Sequence, residues 1–418
     1  MKHRLFLAAA VSAVFVLSGC GSKPVITSKD EQTEITLSWW GNDERNEYTL
    51  EAVKIFERLH PDIKVNCNYS EWSGYQARFN VQMASNTEAD VMQINYAWVQ
   101  QFSPEGDGFY DLNQLSDTVD FTNFTEDELN YGMKNGRLNA VPIALNTQTV
   151  YINKTVYDKY GLSTPKTWDD IFAAAKVMNG EAYPISMTSK SSWFYIVSYA
   201  EQVTGKQFMT LDGKLNFTAD DIRIMLDFYK QLINEKVMPQ VEYFDRLNID
   251  SGQYGGCVAW LSDASGYCGT AEENGFEYIV EDYPVTDGKE LSWYAKPATM
   301  YAISRNTSYP EESAILLDFL LNSPEMAELQ GIEKGIPLSD SAQEYLSEND
   351  MLTGLQYDAF LKMTDYSDSL SVISPYFENT DLIDEFRDGC NSVLYDKISS
   401  EEKAQELYIR FNEILNGV

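Results

Sequence analysis

From residue 34 onward the apolar and polar positions alternate between two periods. Ile35, Leu37 and Trp39 are separated by Thr36 and Ser38, the two-residue repeat of a strand with one buried face. Gly41-Asn42 breaks the pattern. From Glu44 to Leu59 the spacing becomes helical, with Val53, Phe56 and Leu59 on one face, and Pro61 ends it. Ile63 to Tyr69 alternates again, Trp72 to Ala84 predicts a second helix, and Asp90-Val91-Met92-Gln93-Ile94 predicts a third strand. Strand, helix, strand, helix, strand is the order of an α/β layer with parallel neighbours.

A second block begins near Val141-Pro142-Ile143-Ala144. Thr167-Trp168-Asp169-Asp170 is a capping box opening a helix through Met178. Thr218-Ala219-Asp220-Asp221 repeats the device before Ile222, Met225, Leu226 and Tyr229. Gly255-Gly256-Cys257-Val258-Ala259-Trp260 predicts a buried strand that enters a Gly/Ser/Asp-rich loop. Ser323-Pro324-Glu325 caps a further helix, and Asp381 to Leu415 is helical throughout. Neither an internal repeat nor a low-complexity segment interrupts this order.

The first nineteen residues follow a different rule. Lys2 and Arg4 precede an apolar run from Leu5 to Leu17 that is too short to span a bilayer and fits a signal-peptide core. Leu17-Ser18-Gly19-Cys20 resembles the bacterial lipobox, which implies cleavage before Cys20 and a diacyl anchor on it; two acyl chains suffice for stable attachment. Residues 20–33 then form a polar tether. Loss of Lys2 and Arg4 leaves 29 basic against 64 acidic residues, a net charge of −35. A field of that sign repels nucleic acid and makes anionic solutes poor candidates. Cys67, Cys257, Cys268 and Cys390 form no CxxC pair, which speaks against zinc and thioredoxin-like readings; in an oxidising compartment they could pair, Cys257 with Cys268 being nearest, and buried thiols are the expectation. His60 is the one histidine after the signal segment, which excludes Ser/His/Asp and Cys/His catalysis in conventional form. No cofactor or metal motif is present.

Several segments, in order, resemble the family 1 extracellular solute-binding proteins of carbohydrate ABC transporters. They are Leu37-Ser38-Trp39-Trp40-Gly41-Asn42-Asp43, Phe56 to Val65, Asp90 to Ile94, Val141 to Asn146 with Tyr151-Ile152-Asn153-Lys154, Pro165 to Asp170, and Gly335-Ile336-Pro337-Leu338. The stretch 350–418 matches in helical character alone. The resemblance implies a two-lobed α/β fold of the periplasmic-binding-protein type (type II), each lobe a sheet flanked by helices, with a hinge crossed more than once. It divides the chain into an N-lobe at 34–144, a C-lobe at 145–297, an N-lobe return at 298–355 and C-lobe helices at 356–418. It also implies a non-catalytic monomer outside the cytoplasm that captures a neutral mono- or oligosaccharide and delivers it to a permease pair, anchored to the membrane through Cys20.

A sugar presents apolar C–H faces and a ring of hydroxyls, so its site needs aromatic platforms and short polar side chains. Eight tryptophans and 27 tyrosines select nothing by count, whereas position beyond a strand's carboxyl end does. That filter gives Trp40, Asp43 and Glu44 after the first strand, Trp72 and Tyr75 after the second, and Asn95, Tyr96 and Trp98 after the third. Trp39, alternating with Leu37, belongs to the core. Asp43 aligns with a hydroxyl acceptor of maltose-binding relatives. In the second lobe the candidates are Asn146, Trp193, Asp263, Trp293 and Tyr376, Asn146 standing where relatives often carry a carboxylate. Two rivals follow from other chemistry. One is a surface glycosidase or lyase, needing a carboxylate pair. The other is the same fold around a non-sugar solute such as a polyamine.

Overall fold

The computed structural model describes residues 32–286, 288–289, 292–366 and 370–417. Eleven strands are present among them: β1 Thr33–Trp40, β2 Ile63–Ser70, β3 Val91–Ile94, β4 Met133–Lys134, β5 Arg137–Leu138, β6 Val141–Asn153, β7 Ser186–Met187, β8 Gly256–Trp260, β9 Tyr278–Glu281, β10 Tyr294–Ile303 and β11 Ser371–Val372. β4 and β5 form a separate hairpin. The rest form one ladder in the order β2-β1-β3-β10-β6-β8-β7, with β9 on β6 and β11 on β10. Cys20, the signal segment and most of the tether lie outside the described residues.

The opening prediction holds closely. β1 is parallel to β2 and β3, and the helices Asp43–Leu59 and Trp72–Ser85 connect them. The capping boxes at Thr167 and Thr218 both close, each Thr side chain accepting from the Asp three residues on. The helical tail is interrupted: Thr380–Leu394 and Ser400–Leu415 are separate helices, the second restarted by the Ser399 cap.

The crossing between lobes is carried by β6 and β10. Val141 to Thr147 pairs with β10, while Gln148 to Asn153 pairs with β8 and β9. In β10, Tyr294 and Ala295 pair with β11, whereas Met300 to Ile303 pair with β3. Each strand therefore belongs to both sheets. The β10 register shifts between Pro297 and Met300. Proline supplies no N–H to the ladder, and the resulting bulge turns Ala298 and Thr299 off the regular alternation. Gly335-Ile336-Pro337-Leu338 lies against β6 at the same level: Leu338 N donates to Ile143 O at 3.0 Å. Gly335 has φ +101°, and a Cβ there would stand 2.7 Å from that of Ala144, so both conformation and space demand glycine.

Apolar burial divides in the same way. One core gathers Leu37, Trp39, Phe56, Val141, Tyr301 and Leu317. A second gathers Trp193, Phe208, Leu226, Phe386 and Phe411, so the C-terminal helices share one core with elements that follow β6. A carboxylate sits inside this second core. Glu201 accepts from Phe208 N at 2.6 Å and from the hydroxyls of Ser292 and Tyr294. Burial outweighs these three donors and pushes its carboxyl up to about 7.

Because the native state then binds more protons than the unfolded state, Glu201's contribution is greatest below its unfolded value and is lost as pH rises through about 7. Chemical denaturation at pH 5 and pH 8 should show native stability falling with pH, with about 1–3 kcal/mol of the fall absent in Glu201→Gln. An equal slope in the variant would remove Glu201 as its source.

Candidate functional site

Between the two halves of the ladder lies a cleft of about 240 Å³, lined by Trp40, Arg45, Trp72, Asn95, Asn146, Ser262, Ala298, Thr299 and Lys334. Four of the expected residues meet there: Trp40, Trp72 and Asn95 from strand ends, and Asn146 from the second lobe.

The strand alternation that buries Trp39 in the first core turns Trp40 to the opposite face of the sheet. Trp72, the first residue of its helix, meets Trp40 edge-on with ring centroids 4.9 Å apart and stacks on Trp98 at 5.6 Å. Phe79 stacks behind Trp98 at 4.2 Å. Trp40 and Trp98 are 9% and 3% exposed, whereas Trp72 is 39% exposed. Trp72 is thus an open indole held by rings that are themselves buried. Asn95 caps the helix Tyr96–Phe102, its Oδ1 accepting from Ala97 N at 3.0 Å.

On the facing wall, Asn146 Nδ2 donates to Ser262 Oγ at 2.9 Å, and its Oδ1 accepts from Ser262 N at 3.2 Å and Thr147 N at 3.1 Å. This amide ties the loop after β8 to the crossing strand. Asp263 is exposed next to it, 3.4 Å from the Ser262 hydroxyl.

Two basic residues lie where the walls meet. Asn42 caps the first helix by accepting from Arg45 N at 2.9 Å. The Arg45 guanidinium then donates through Nε to Glu333 Oε1 and through Nη2 to Glu333 O, both at 3.0 Å. Lys334 is 3% exposed; its Nζ donates to Tyr301 OH at 2.9 Å and lies over the rings of Tyr48 and Tyr301. Burial, reinforced by Arg45, pushes the ammonium down to about 7. Further along, Glu378 is clamped by Lys190 at 2.6 Å and by Lys296, whose Nζ also lies 4.6 Å from the Trp260 ring centre. Burial opposes ionisation of Glu378, but the two lysines hold its carboxyl below the usual range.

The other expected residues are placed elsewhere. Tyr96 lines a second cavity of about 310 Å³, which joins Tyr131 and Lys134 to Leu211 and Pro375 across the lobes. Asp43 and Glu44 are exposed in the first turn of their helix, where negative charge suits the helix dipole, and do not line the cleft. Tyr75 is buried, its OH donating to Gln93 O at 2.8 Å. Trp193 is fully buried among Phe208, Phe377, Phe386 and Phe411, its Nε1 donating to Phe377 O at 3.0 Å. Trp293 is buried, with Nε1 donating to Gln148 O at 2.6 Å. Tyr376 packs its ring over Gly213. As platforms, Tyr75, Trp193 and Trp293 are corrected to core: each satisfies its polar atom internally and presents no ring face. Arg45, Ser262, Ala298, Thr299 and Lys334 were not expected. The signals available were the Asn42 cap for Arg45 and the adjacent Gly335 motif for Lys334.

The arrangement offers an aromatic face, two side-chain amides, a guanidinium and a buried lysine between two lobes, which suits holding a polar solute. The arabinooligosaccharide-binding protein of Bacillus subtilis is 26% identical over 241 residues, 56% of this chain and 54% of that protein. An oligogalacturonide-binding protein of Yersinia enterocolitica, solved with saturated digalacturonic acid, superposes with a TM-score of 0.78 at 30% identity, covering 92% of this chain and 99% of that one. A designed cysteine esterase superposes at 0.86 with 29% identity, covering 92% and 98%. The family model described as bacterial extracellular solute-binding protein matches residues 51–353. The fold, the interlobe cleft and this match together place the chain in the bacterial extracellular solute-binding protein family.

Proposed function

We propose that this protein captures a saccharide in the interlobe cleft for an ABC importer, held outside the cell membrane by a lipid on Cys20. The observation that carries the reading is Trp72, an open indole backed by Trp40 and Trp98 and faced across the cleft by the Asn146–Ser262 pair. One pyranose face stacks on the indole while its hydroxyls reach the opposite wall. The naming of the Bacillus and Yersinia relatives for oligosaccharides supports this class of ligand.

We take residues 34–144 and 298–355 as one lobe and 145–297 and 356–418 as the other. Ligand then touches both and favours the closed arrangement by contacts that the open one lacks. The permease pair recognises that closed form, and the binding protein acts as a monomer without a cofactor.

An esterase reading needs a reactive thiol. Cys257, Cys268 and Cys390 are buried, and burial pushes half-buried Cys67 up to about 11. None lines the cleft, and His60 packs on Phe56 at the end of its helix. A glycosidase reading needs an acid of raised pKa beside a second carboxylate. Glu333 is tied to Arg45, and Glu378 is held ionised by two lysines. Burial does raise the Asp263 carboxyl, but the charges beside it are Arg45 and Lys190 rather than a second carboxylate. For a polyamine, the cleft lining sets Arg45 and the nitrogen of Lys334 where an ammonium ligand would need carboxylates.

Calorimetry over a panel of oligosaccharides tests the reading: at least one should bind without turnover, and Trp72→Ala should weaken it roughly 5- to 30-fold, the effect of about 1–2 kcal/mol of lost stacking and burial. Undiminished affinity would place the ligand off this platform. Trp193→Ala should instead lower unfolding free energy by about 3–5 kcal/mol. In cells, Cys20→Ser should move the protein from the membrane to the soluble fraction; continued membrane retention would refute the anchor.

A further inference from the structure

The cleft is richer in donors than in acceptors. The oxygen of Asn146 already accepts from two backbone N–H groups, that of Asn95 accepts from Ala97 N, and Ser262 Oγ accepts from Asn146. Glu333 gives both a carboxylate oxygen and its carbonyl to Arg45. The Thr299 hydroxyl is buried without a protein partner. Among the described residues the side-chain bonds of Arg45 run through Nε and Nη2 and that of Asn95 through Oδ1, which leaves Arg45 Nη1 and Asn95 Nδ2 to a ligand. Lys334 Nζ spends one of three N–H groups on Tyr301. A neutral sugar answers such donors with hydroxyl and ring oxygens alone, whereas a carboxylate brings two charged acceptor oxygens and no hydrogen.

Charge sharpens the point. Lys334 has no carboxylate within ion-pair distance among the described residues, because Glu333, its chain neighbour, is turned to Arg45. A bound ligand expels water from the cleft, and an ammonium without a counter-ion then loses its remaining solvation. Arg45 is fixed by two bonds to Glu333, which holds its guanidinium plane and leaves the Nη1 edge free.

We propose that the saccharide taken by this cleft is acidic, with a carboxylate seated between Arg45 Nη1 and Lys334 while the sugar ring lies on Trp72. The proposal rests on the saccharide reading above and specifies its chemical class. The strongly negative chain does not oppose it. Exposed charges act weakly beyond about 8 Å at physiological salt, so they slow the ligand's approach and leave the field inside the cleft to the groups that line it.

The test compares disaccharides of galacturonate, glucuronate and mannuronate with their methyl esters, which keep the ring and remove the charge, alongside neutral galactobiose and maltose. Titration calorimetry on the mature wild-type protein should find at least one acid binding ten-fold or more tighter than its ester. Lys334→Met and Arg45→Gln should each bring that acid close to the ester's affinity. If Lys334→Met does not fold, Arg45→Gln and the wild-type comparison still decide. An ester or a neutral disaccharide binding as tightly as every acid would overturn the acidic class and leave the saccharide reading standing. No binding by any saccharide, with folded protein verified, would overturn both.

Discussion

The antiparallel ladder between β6 and β10 is the constraint on which the molecule turns. Backbone N–H and C=O groups in a buried strand must be paired. A strand that leaves one sheet for another therefore needs a partner that leaves with it. β6 and β10 make the passage together, each exchanging neighbours on the way: β10 for β8 and β9 in one case, β11 for β3 in the other. The cleft exists because the two sheets diverge around this shared pair. Its floor is formed where the register slips at Pro297–Thr299, so a local defect in pairing becomes a pair of ligand-facing positions.

Around that floor, polar side chains are positioned by bonds that have little to do with ligand. Asn42 caps a helix and thereby sets where Arg45 starts; Asn95 caps another and so stands at the cleft. Asn146 binds a loop across 116 residues of chain. Each contact satisfies a backbone donor or a loop amide first, and its remaining valence points inward. This is preorganisation obtained from ordinary folding requirements, and it leaves few lining groups free to rearrange.

Much of the first lobe was legible because one-face burial writes a period into the sequence. β1, the helix after it and β2 all stand within a residue or two of where alternation and caps put them. The length of β6 was not legible. Nearly all of its thirteen residues are buried, so no alternation marks where one sheet hands over to the next. Strand-end position found Trp40, Trp72 and Asn95, and the family resemblance pointed to Asn146, yet neither could separate Trp72 from Trp193. An indole facing a cleft and one facing a core follow similar local sequence, and the partner that decides, Phe377, lies 184 residues away. Lys334 was hidden for a different reason. Lysine reads as solvent-facing in any sequence pattern, and its burial depends on Tyr48 and Tyr301 arriving from two distant elements. Net charge likewise described the outer surface and said little about a cleft of nine residues.

The path of β10 also fixes when the first lobe can be finished. β3 lies beside β10, which begins at residue 294, more than two hundred positions after β1. Until β10 arrives, one edge of the β2-β1-β3 layer has no partner, and the chain between them must first make most of the second lobe. A nascent or freshly translocated chain therefore passes through a stage with an open sheet edge and a core short of Tyr301 and Leu317. Nearly the whole polypeptide must therefore be available before the first lobe is complete, and its last strand is contributed by chain that has already built most of the second.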